Sequence, residues 1–243
     1  MKAFDNIKKY IKQQGFAPGL LGVFTNPFYF ARKGLFDSIK SLSFHISGHT
    51  LDVGCGSKPY QNLFKLESYT GLDFDKDGTN FNPDADYLYD GTHFPFDNEV
   101  YDSCVSSQVL EHVFEPGQFL SEINRVLKID GILLLTVPFV WDEHEQPYDY
   151  ARYSSFGSKY LLEKHGFEVL IQKKSLNDIS VIFQLMNAYI QKKILINSNR
   201  YINLSLTILC CSPINITGVV LSWLLPKNND LYLDNIIVAK KVS

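Results

Sequence analysis

From about residue 50 the chain alternates short, continuous apolar runs with segments of helical periodicity. TLDVG (50–54), YTGLDF (69–74), YDSCVSS (101–107) and GILLLTVPF (131–139) are the first four runs. Runs without polar alternation suit parallel strands buried on both faces. Between the last two, PGQFLSEINRVLKIDG predicts an amphipathic helix: Pro116 starts it, Phe119, Leu120, Ile123, Val126 and Leu127 share a face, and Gly131 ends it. SSFGSKYLLEKHG predicts another, with Ser154 or Ser155 as cap and Gly166 as terminator. FEVLIQKK and DLYLDNIIVAKK then read as the final two strands. Strands alternating with helices predict a doubly wound α/β sheet.

Two segments stand outside this alternation. Residues 1–45 form a predicted helical extension ahead of a domain spanning 46–243. In it Phe4, Ile7, Tyr10, Ile11 and Gln14 share a helical face, with Lys2, Lys8, Lys9 and Lys12 largely off it. Such a basic amphipathic helix either lies in a membrane interface or docks on the domain. Residues 175–228 are a hydrophobic helical insertion before the last strand. A segment at 178–196 places Ile182, Leu185, Met186 and Tyr189 in register, and 201–226 contains no charged side chain. That length suffices to span a bilayer, but the flanking strands belong to one sheet, so the chain must return to the same side. Pro213, Asn203 and Asn215 are expected to break the run. A hairpin touching the membrane interface and a plain subdomain core or dimer face both fit.

With 243 residues and 45% hydrophobic positions, there is ample material for a folded core. The net charge of −3 conceals three unlike blocks. Residues 1–40 carry seven Lys/Arg against two Asp/Glu, 41–150 five against nineteen, and 151–243 eleven against five. An acidic middle third argues against a nucleic-acid partner. The basic ends, paired with apolar faces, make an anionic membrane surface the sharper expectation. Cys55, Cys104, Cys210 and Cys211 show no disulfide framework or metal-ligand spacing, so no metal is expected. The N-terminus lacks the apolar core of a signal peptide, and the sequons at Asn203 and Asn215 then go unused. The expected location is the cytoplasm, with peripheral contact at the inner face of the plasma membrane.

The strongest local chemical signal is LDVGCGSKPY (51–60). Gly54 and Gly56 sit where a strand turns, letting backbone approach a ligand, and Asp52 ends the strand beside them. Asp73 follows 21 residues later, where an acidic group takes the ribose hydroxyls of an adenosine-type cofactor. The dinucleotide pattern GxGxxG is incomplete, because Pro59 stands at its third glycine.

Residues 85–113, ADYLYDGTHFPFDNEVYDSCVSSQVLEHV, resemble the middle of class I S-adenosylmethionine-dependent methyltransferases, of the type 11-like kind. There, an acidic residue after the third strand precedes an L-P-F-like turn, an F-D pair and a strand ending before L-E-H. Here these are Asp90, Phe94-Pro95-Phe96, Tyr101-Asp102 and Leu110-Glu111-His112. INRVLKIDGILLLTVP matches the following helix and strand, with Ile129-Asp130 where Pro-Gly is usual. The resemblance covers about 48–174 and the last strand. It implies a Rossmann-like seven-stranded sheet with helices on both faces, and S-adenosylmethionine as cofactor. Asp52, Gly54 and Gly56 would surround its amino-acid portion, Asp73 the ribose and Asp90 the adenine. Gln108 would line the pocket floor, Gly91 and Thr92 would add backbone contacts, and Lys58 replaces a frequent third glycine. His112 commonly shapes the cleft in such enzymes.

TVPFVWDEHEQPYDYARYSSFG (136–157), with GCGSKPYQNLF, resembles a bacterial branch associated with surface-polysaccharide and other glycan pathways. That loop hangs over the carboxyl ends of the strands, where open α/β sheets bind ligands. Trp141, Tyr148, Asp149, Tyr150 and Arg152 suit a sugar's apolar faces and hydroxyl edges. Alternatively, Asp149 and Arg152 pair within the loop and the tyrosines form its core. His144 is the candidate general base, oriented by Glu143, Glu145 or Asp149. The expected activity is O-methylation of a glycan, sugar or lipid-linked precursor. Methylation of a small metabolite or quinone-type lipid, and a non-catalytic cofactor-binding scaffold, are the alternatives.

Overall fold

The computed structural model describes residues 14–75, 82–195 and 199–243. The helix expected from Phe4, Ile7, Tyr10 and Ile11 lies outside the described residues. Contacts divide the chain into two compact units: residues up to Asp37 with Lys174–Leu233, and Ser38–Lys173 with Asp234–Ser243.

The second unit is built on one sheet of β1 (His49–Val53), β2 (Ser68–Phe74), β3 (Tyr87–Tyr89), β4 (Tyr101–Ser107), β5 (Leu127–Pro138), β6 (Phe167–Lys174) and β7 (Asp234–Lys241). Their order is β3-β2-β1-β4-β5-β7-β6. β1 pairs in parallel with β2 and β4, as does β4 with β5, whereas β7 runs antiparallel to β5 with Val238 opposite Leu134. Strand order reverses between β1 and β4, so their carboxyl ends diverge into a crevice where ligands bind in such sheets. The central strands are buried on both faces, as their unbroken apolar runs require: Leu51, Val53, Cys104, Leu133 and Leu135 are all inaccessible to solvent or nearly so.

Five helices of ten or more residues are described: α1 (Tyr29–Leu42), α2 (Pro116–Val126), α3 (Ser155–Lys164), α4 (Ser180–Lys193) and α5 (Arg200–Leu224). Pro116 opens α2, and Phe119, Leu120, Ile123 and Val126 bury its inner face in the sheet unit's core. Each such side chain contributes roughly 1.5–3 kcal/mol by leaving water. The sequence expectation that this helix runs to Gly131 is wrong. It stops at Val126, because Leu127 turns extended (ψ 141°) and pairs with Tyr101 in the sheet. Gly131 instead sits inside β5, where a Cβ would come within 2.7 Å of the Lys128 carbonyl. In α3, Ser154 caps as expected, its Oγ accepting from Gly157 N at 3.2 Å, and Gly166 ends the helix at φ +81°.

In the first unit α4 and α5 pack together, with buried Asn187 donating to Asn215 at 2.8 Å. Pro213 does not break the apolar run: α5 continues through it for 25 residues. An interior proline costs about 3 kcal/mol. The surrounding residues are anchored on either side of it, Ser212 Oγ donating to the Phe24 carbonyl and Asn215 Nδ2 to those of Val23 and Asn26.

Candidate active site

The glycine turn leaves β1 with both glycines in the left-handed region, Gly54 at φ +72° and Gly56 at +48°. Gly54 and Cys55 donate their N–H groups to the Leu72 carbonyl, which locks the turn against β2. A Cβ on Gly54 would meet Val109 Cγ2 at 2.3 Å, whereas one on Gly56 would find open space among the described residues. The first glycine therefore serves packing and the second leaves room for a ligand. Asp52 is buried just below, where Tyr69 Oη donates to its Oδ2 at 2.6 Å. Burial pushes its carboxyl up to about 7, against the opposing effects of Tyr69 and Lys58.

At the end of β2, Asp73 accepts from Phe74 N at 2.9 Å and from the Asn82 side chain. Asn82 also donates to the Gly56 carbonyl at 2.9 Å, so it ties the glycine turn to the predicted ribose ligand. Sequence reasoning missed Asn82, which sits in a loop with no motif around it. After β3, exposed Asp90 accepts from Thr92 Oγ1 at 2.6 Å and Thr92 N at 2.9 Å, which holds its carboxyl at about 2. Gly91 adopts φ +89°, and a Cβ there would strike the Phe74 ring at 2.9 Å. Gln108, just past β4, also has a positive φ, +59°, and bonds through its backbone and side chain to Thr136 of β5.

These positions lie at the carboxyl ends of β1, β2, β3 and β4. An open depression of about 540 Å³ lined by Thr70, Tyr87, Phe96 and Tyr101 lies elsewhere: Tyr101 begins β4, so that hollow sits toward the opposite edge. It is not the cofactor crevice. A buried carboxylate raised by desolvation, a roomy glycine turn and two further acidic groups fit a ligand with cationic and ribose parts. S-adenosylmethionine has both.

Beyond β4 the chain makes one helical turn, Leu110–His112, and the 139–154 loop folds back onto it. Tyr150 N donates to the Glu111 carbonyl at 2.8 Å, and His112 Nδ1 bonds the Tyr148 carbonyl at 2.6 Å. That return brings His144 against His112, ring centroids 4.7 Å apart. Asp149 anchors His144: its Oδ2 accepts the His144 backbone N–H at 2.8 Å and lies 3.3 Å from Nδ1. Arg152 forks onto both oxygens of Asp149 and reaches the Asp142 carbonyl at 3.0 Å. It holds the Asp149 carboxyl well below the usual carboxylate range.

The two charged residues predicted to meet a substrate thus pair with each other, as the alternative reading has it. Tyr150 is exposed and edge-packed on Phe114, leaving it the more available aromatic surface. Burial, followed by the neighbouring His112, lowers the His144 pKa, so the ring is neutral near pH 7. Glu111 was not singled out from the sequence as a site residue. It is fully buried, and burial pushes its carboxyl up to about 8.

A seven-stranded sheet with one antiparallel strand, a glycine turn after β1 and acidic residues after β2 and β3 define a nucleoside-cofactor transferase class. A family described as a methyltransferase domain matches residues 51–135, and the sheet order is that of the class I S-adenosylmethionine-dependent methyltransferase fold. Among solved structures, it resembles the [4+2]-cyclase SpnF with 17% identity and a TM-score of 0.56, over 87% of this chain and 82% of that one. A putative methyltransferase from Bacillus halodurans shares 16% identity at a TM-score of 0.51, over 86% and 99% of the chains. An S-adenosylmethionine-dependent methyltransferase from Mesorhizobium loti shares 10% at 0.53, over 86% and 98%. These likenesses concern the fold alone. No curated protein matches the sequence. Nothing in these comparisons identifies the glycan branch suggested by residues 136–157.

Proposed function

We propose that this methyltransferase methylates a hydroxyl of a sugar, glycan or lipid-linked precursor. The observation that carries the reading is the return of the 139–154 loop onto the turn after β4, which sets Tyr150 and the His112–His144 pair at the carboxyl end of the sheet. The cofactor, once bound, supplies an electrophilic methyl group on a sulfonium. The chain's part is alignment, worth as much as ~7–11 kcal/mol of barrier, and removal of the hydroxyl proton. That proton leaves into the cluster of Glu111, His112 and His144, with His144 the residue singled out from sequence. Trp141, Tyr148 and Tyr150 form the acceptor's apolar wall, while Asp149 and Arg152 hold the loop's shape.

We place the enzyme in the cytoplasm, peripherally on the inner face of the membrane. Supporting this, Ile202–Leu224 is long and apolar enough to cross a bilayer, and only 28% of its most apolar stretch is buried. Leu209, Trp223 and Leu224 are exposed along it. The domain is taken as 46–243, with 175–228 as an insertion.

Release of S-adenosylhomocysteine with lipid-linked glycan, nucleotide-sugar and quinone-precursor fractions tests the acceptor class. Turnover with a glycan fraction supports the proposal, and turnover with the quinone fraction alone refutes it. Tight cofactor binding with no turnover on any fraction refutes it in favour of a scaffold.

A further inference from the structure

The fully buried side chain of Glu111 has no hydrogen bond to either carboxylate oxygen among the described residues. A buried carboxylate without a partner is strongly destabilising. His112 Nε2 lies 3.8 Å from Glu111 Oε1. One ligating atom each of Glu111, His112 and His144 lies within 4.8 Å of the other two.

The hydrogen bonds fix which imidazole nitrogens are free. A backbone carbonyl only accepts, so His112 Nδ1 carries the proton it donates to Tyr148 O at 2.6 Å. Its Nε2 therefore presents a lone pair toward Glu111. His144 Nδ1 faces two further acceptors, the Asp142 carbonyl and Asp149 Oδ2, each at 3.3 Å. Its Nε2 is left free in the same way. Metal-binding histidines are oriented in just this manner, by an oxygen acceptor on the far ring nitrogen. Arg152 Nη2 lies 3.5 Å from His144 Nδ1, and its charge is balanced by the fork onto Asp149.

We infer that Glu111, His112 and His144 bind a divalent first-row transition cation, with zinc the best match to two imidazoles and one carboxylate. Three protein ligands leave a coordination position open. Ligand atoms about 2.0–2.2 Å from an ion lie roughly 3–3.5 Å apart, so a small inward rotation of the side chains closes the site. These ligands carry no recognisable motif in the sequence: two are adjacent, and the third stands 32 residues later.

The inference rests on the O-methylation reading for its chemistry and makes His144 a ligand in place of a base. The acceptor oxygen occupies the open position, and its O–H bond breaks with the proton passing to solvent. An oxygen lone pair forms the bond to the methyl carbon as the carbon–sulfur bond breaks, its electron pair staying on sulfur.

The test is a titration of Co2+ into the full-length, chelator-stripped protein, followed by its visible ligand-field bands and by displacement with Zn2+. One ion per chain is expected. Glu111→Gln and His144→Ala abolish saturable binding, and His93→Ala, beside Glu122, leaves it unchanged. Asp149→Asn, acting through His144, weakens it about 10–100-fold. Glu111→Gln is close to isosteric and His144 is on a loop; a wild-type affinity for the cofactor shows that each variant is folded. Absence of binding, or equal binding by wild type and both ligand variants, overturns the proposal. Methyl transfer that persists undiminished in chelator, without a bound ion, sinks the cation and spares the O-methylation reading. Saturable binding that needs all three ligands, without transfer to any acceptor, spares the cation and sinks that reading.

Discussion

Asp52 gives the sharpest quantitative prediction, because its environment penalises the charged form that a cationic cofactor favours. Burial raises its carboxyl from an ordinary 3.8 to about 7. The groups facing it are the Tyr69 hydroxyl, the Lys58 ammonium and the Asp73 carboxylate. Cys55 is itself pushed up to about 12 and stays neutral. If the cofactor binds with Asp52 ionised, its affinity follows the ionised fraction. A group titrating at about 7 is roughly one-tenth ionised at pH 6 and nine-tenths at pH 8. Affinity therefore rises about tenfold between those values, equivalent to about 1.4 kcal/mol. Calorimetry in two buffers of different ionisation enthalpy should show nearly one proton released per cofactor at pH 6 and almost none at pH 9.

The unliganded protein responds in the opposite sense. Between about 3.8 and 7 the unfolded chain loses the Asp52 proton while the folded chain keeps it, so stability falls as pH rises through that window and is level above it. The loss is on the order of 4 kcal/mol for a group this buried. Asp52→Asn removes the penalty. It should raise the thermal midpoint of the unliganded protein at pH 8, weaken cofactor binding there, and abolish the pH dependence of cofactor affinity. A wild-type affinity that is flat from pH 6 to 8 with no proton release refutes the reasoning, as does an affinity slope that survives in Asp52→Asn.

Four further outcomes follow from the geometry. Gly54→Ala combines a positive φ with a Cβ 2.3 Å from Val109; about 1–3 kcal/mol of backbone strain adds to the clash, and Val109→Ala should restore only the clash component in a urea titration. Arg152→Ala leaves Asp149, whose side chain is 4% exposed, without its counter-ion. A loss of about 3 kcal/mol is expected, at the low end for a broken buried pair because Arg152 is partly exposed, and acceptor KM should rise while cofactor Kd holds. Leu120→Ala, in the inner face of α2, should cost about 2–5 kcal/mol in chemical denaturation without changing cofactor affinity. Trp223→Ser with Leu224→Ser should reduce flotation with anionic liposomes while leaving turnover of a soluble acceptor intact; undiminished flotation would clear the end of α5 of any membrane role.

Strands β4 and β6 match their predicted bounds, β6 because Gly166, in the left-handed region, ends the preceding helix immediately before it. The α2–β5 junction was illegible for the opposite reason. Leu127 continues the helical spacing of Ile123 and Val126, yet its pairing with Tyr101 ends the helix with no intervening loop. Pro213 misled because intrinsic propensity ignores the polar anchors at Ser212 and Asn215. At the site, Gly54, Asp73 and Asp90 were readable since each follows a strand end at a fixed offset. Asn82 and Glu111 were not. Their roles come from a loop tie and from burial, and neither property is written in local spacing.

The acidic middle of the chain acquires a finer meaning from the partners of its buried carboxylates. Glu122 is met by Arg125 at 2.8 Å and by His93 at 2.9 Å. Asp149 is met by Arg152. Those two are satisfied within the chain, and they brace the turn after β3 and the loop after β5. Asp52 and Glu111 differ: among the described residues, the side-chain hydrogen bond to Asp52 comes from a neutral hydroxyl, and the Glu111 carboxylate has none. Both stand beside the carboxyl ends of β1 and β4, where the strand order reverses. Burying a carboxylate there without a directly paired cation is destabilising unless a cation comes from outside. A sulfonium-bearing cofactor would meet that need at Asp52, and the proposed divalent ion would meet it at Glu111. The distribution of counter-ions therefore separates the carboxylates that hold the fold from those that await a ligand, which the net charge of −3 conceals.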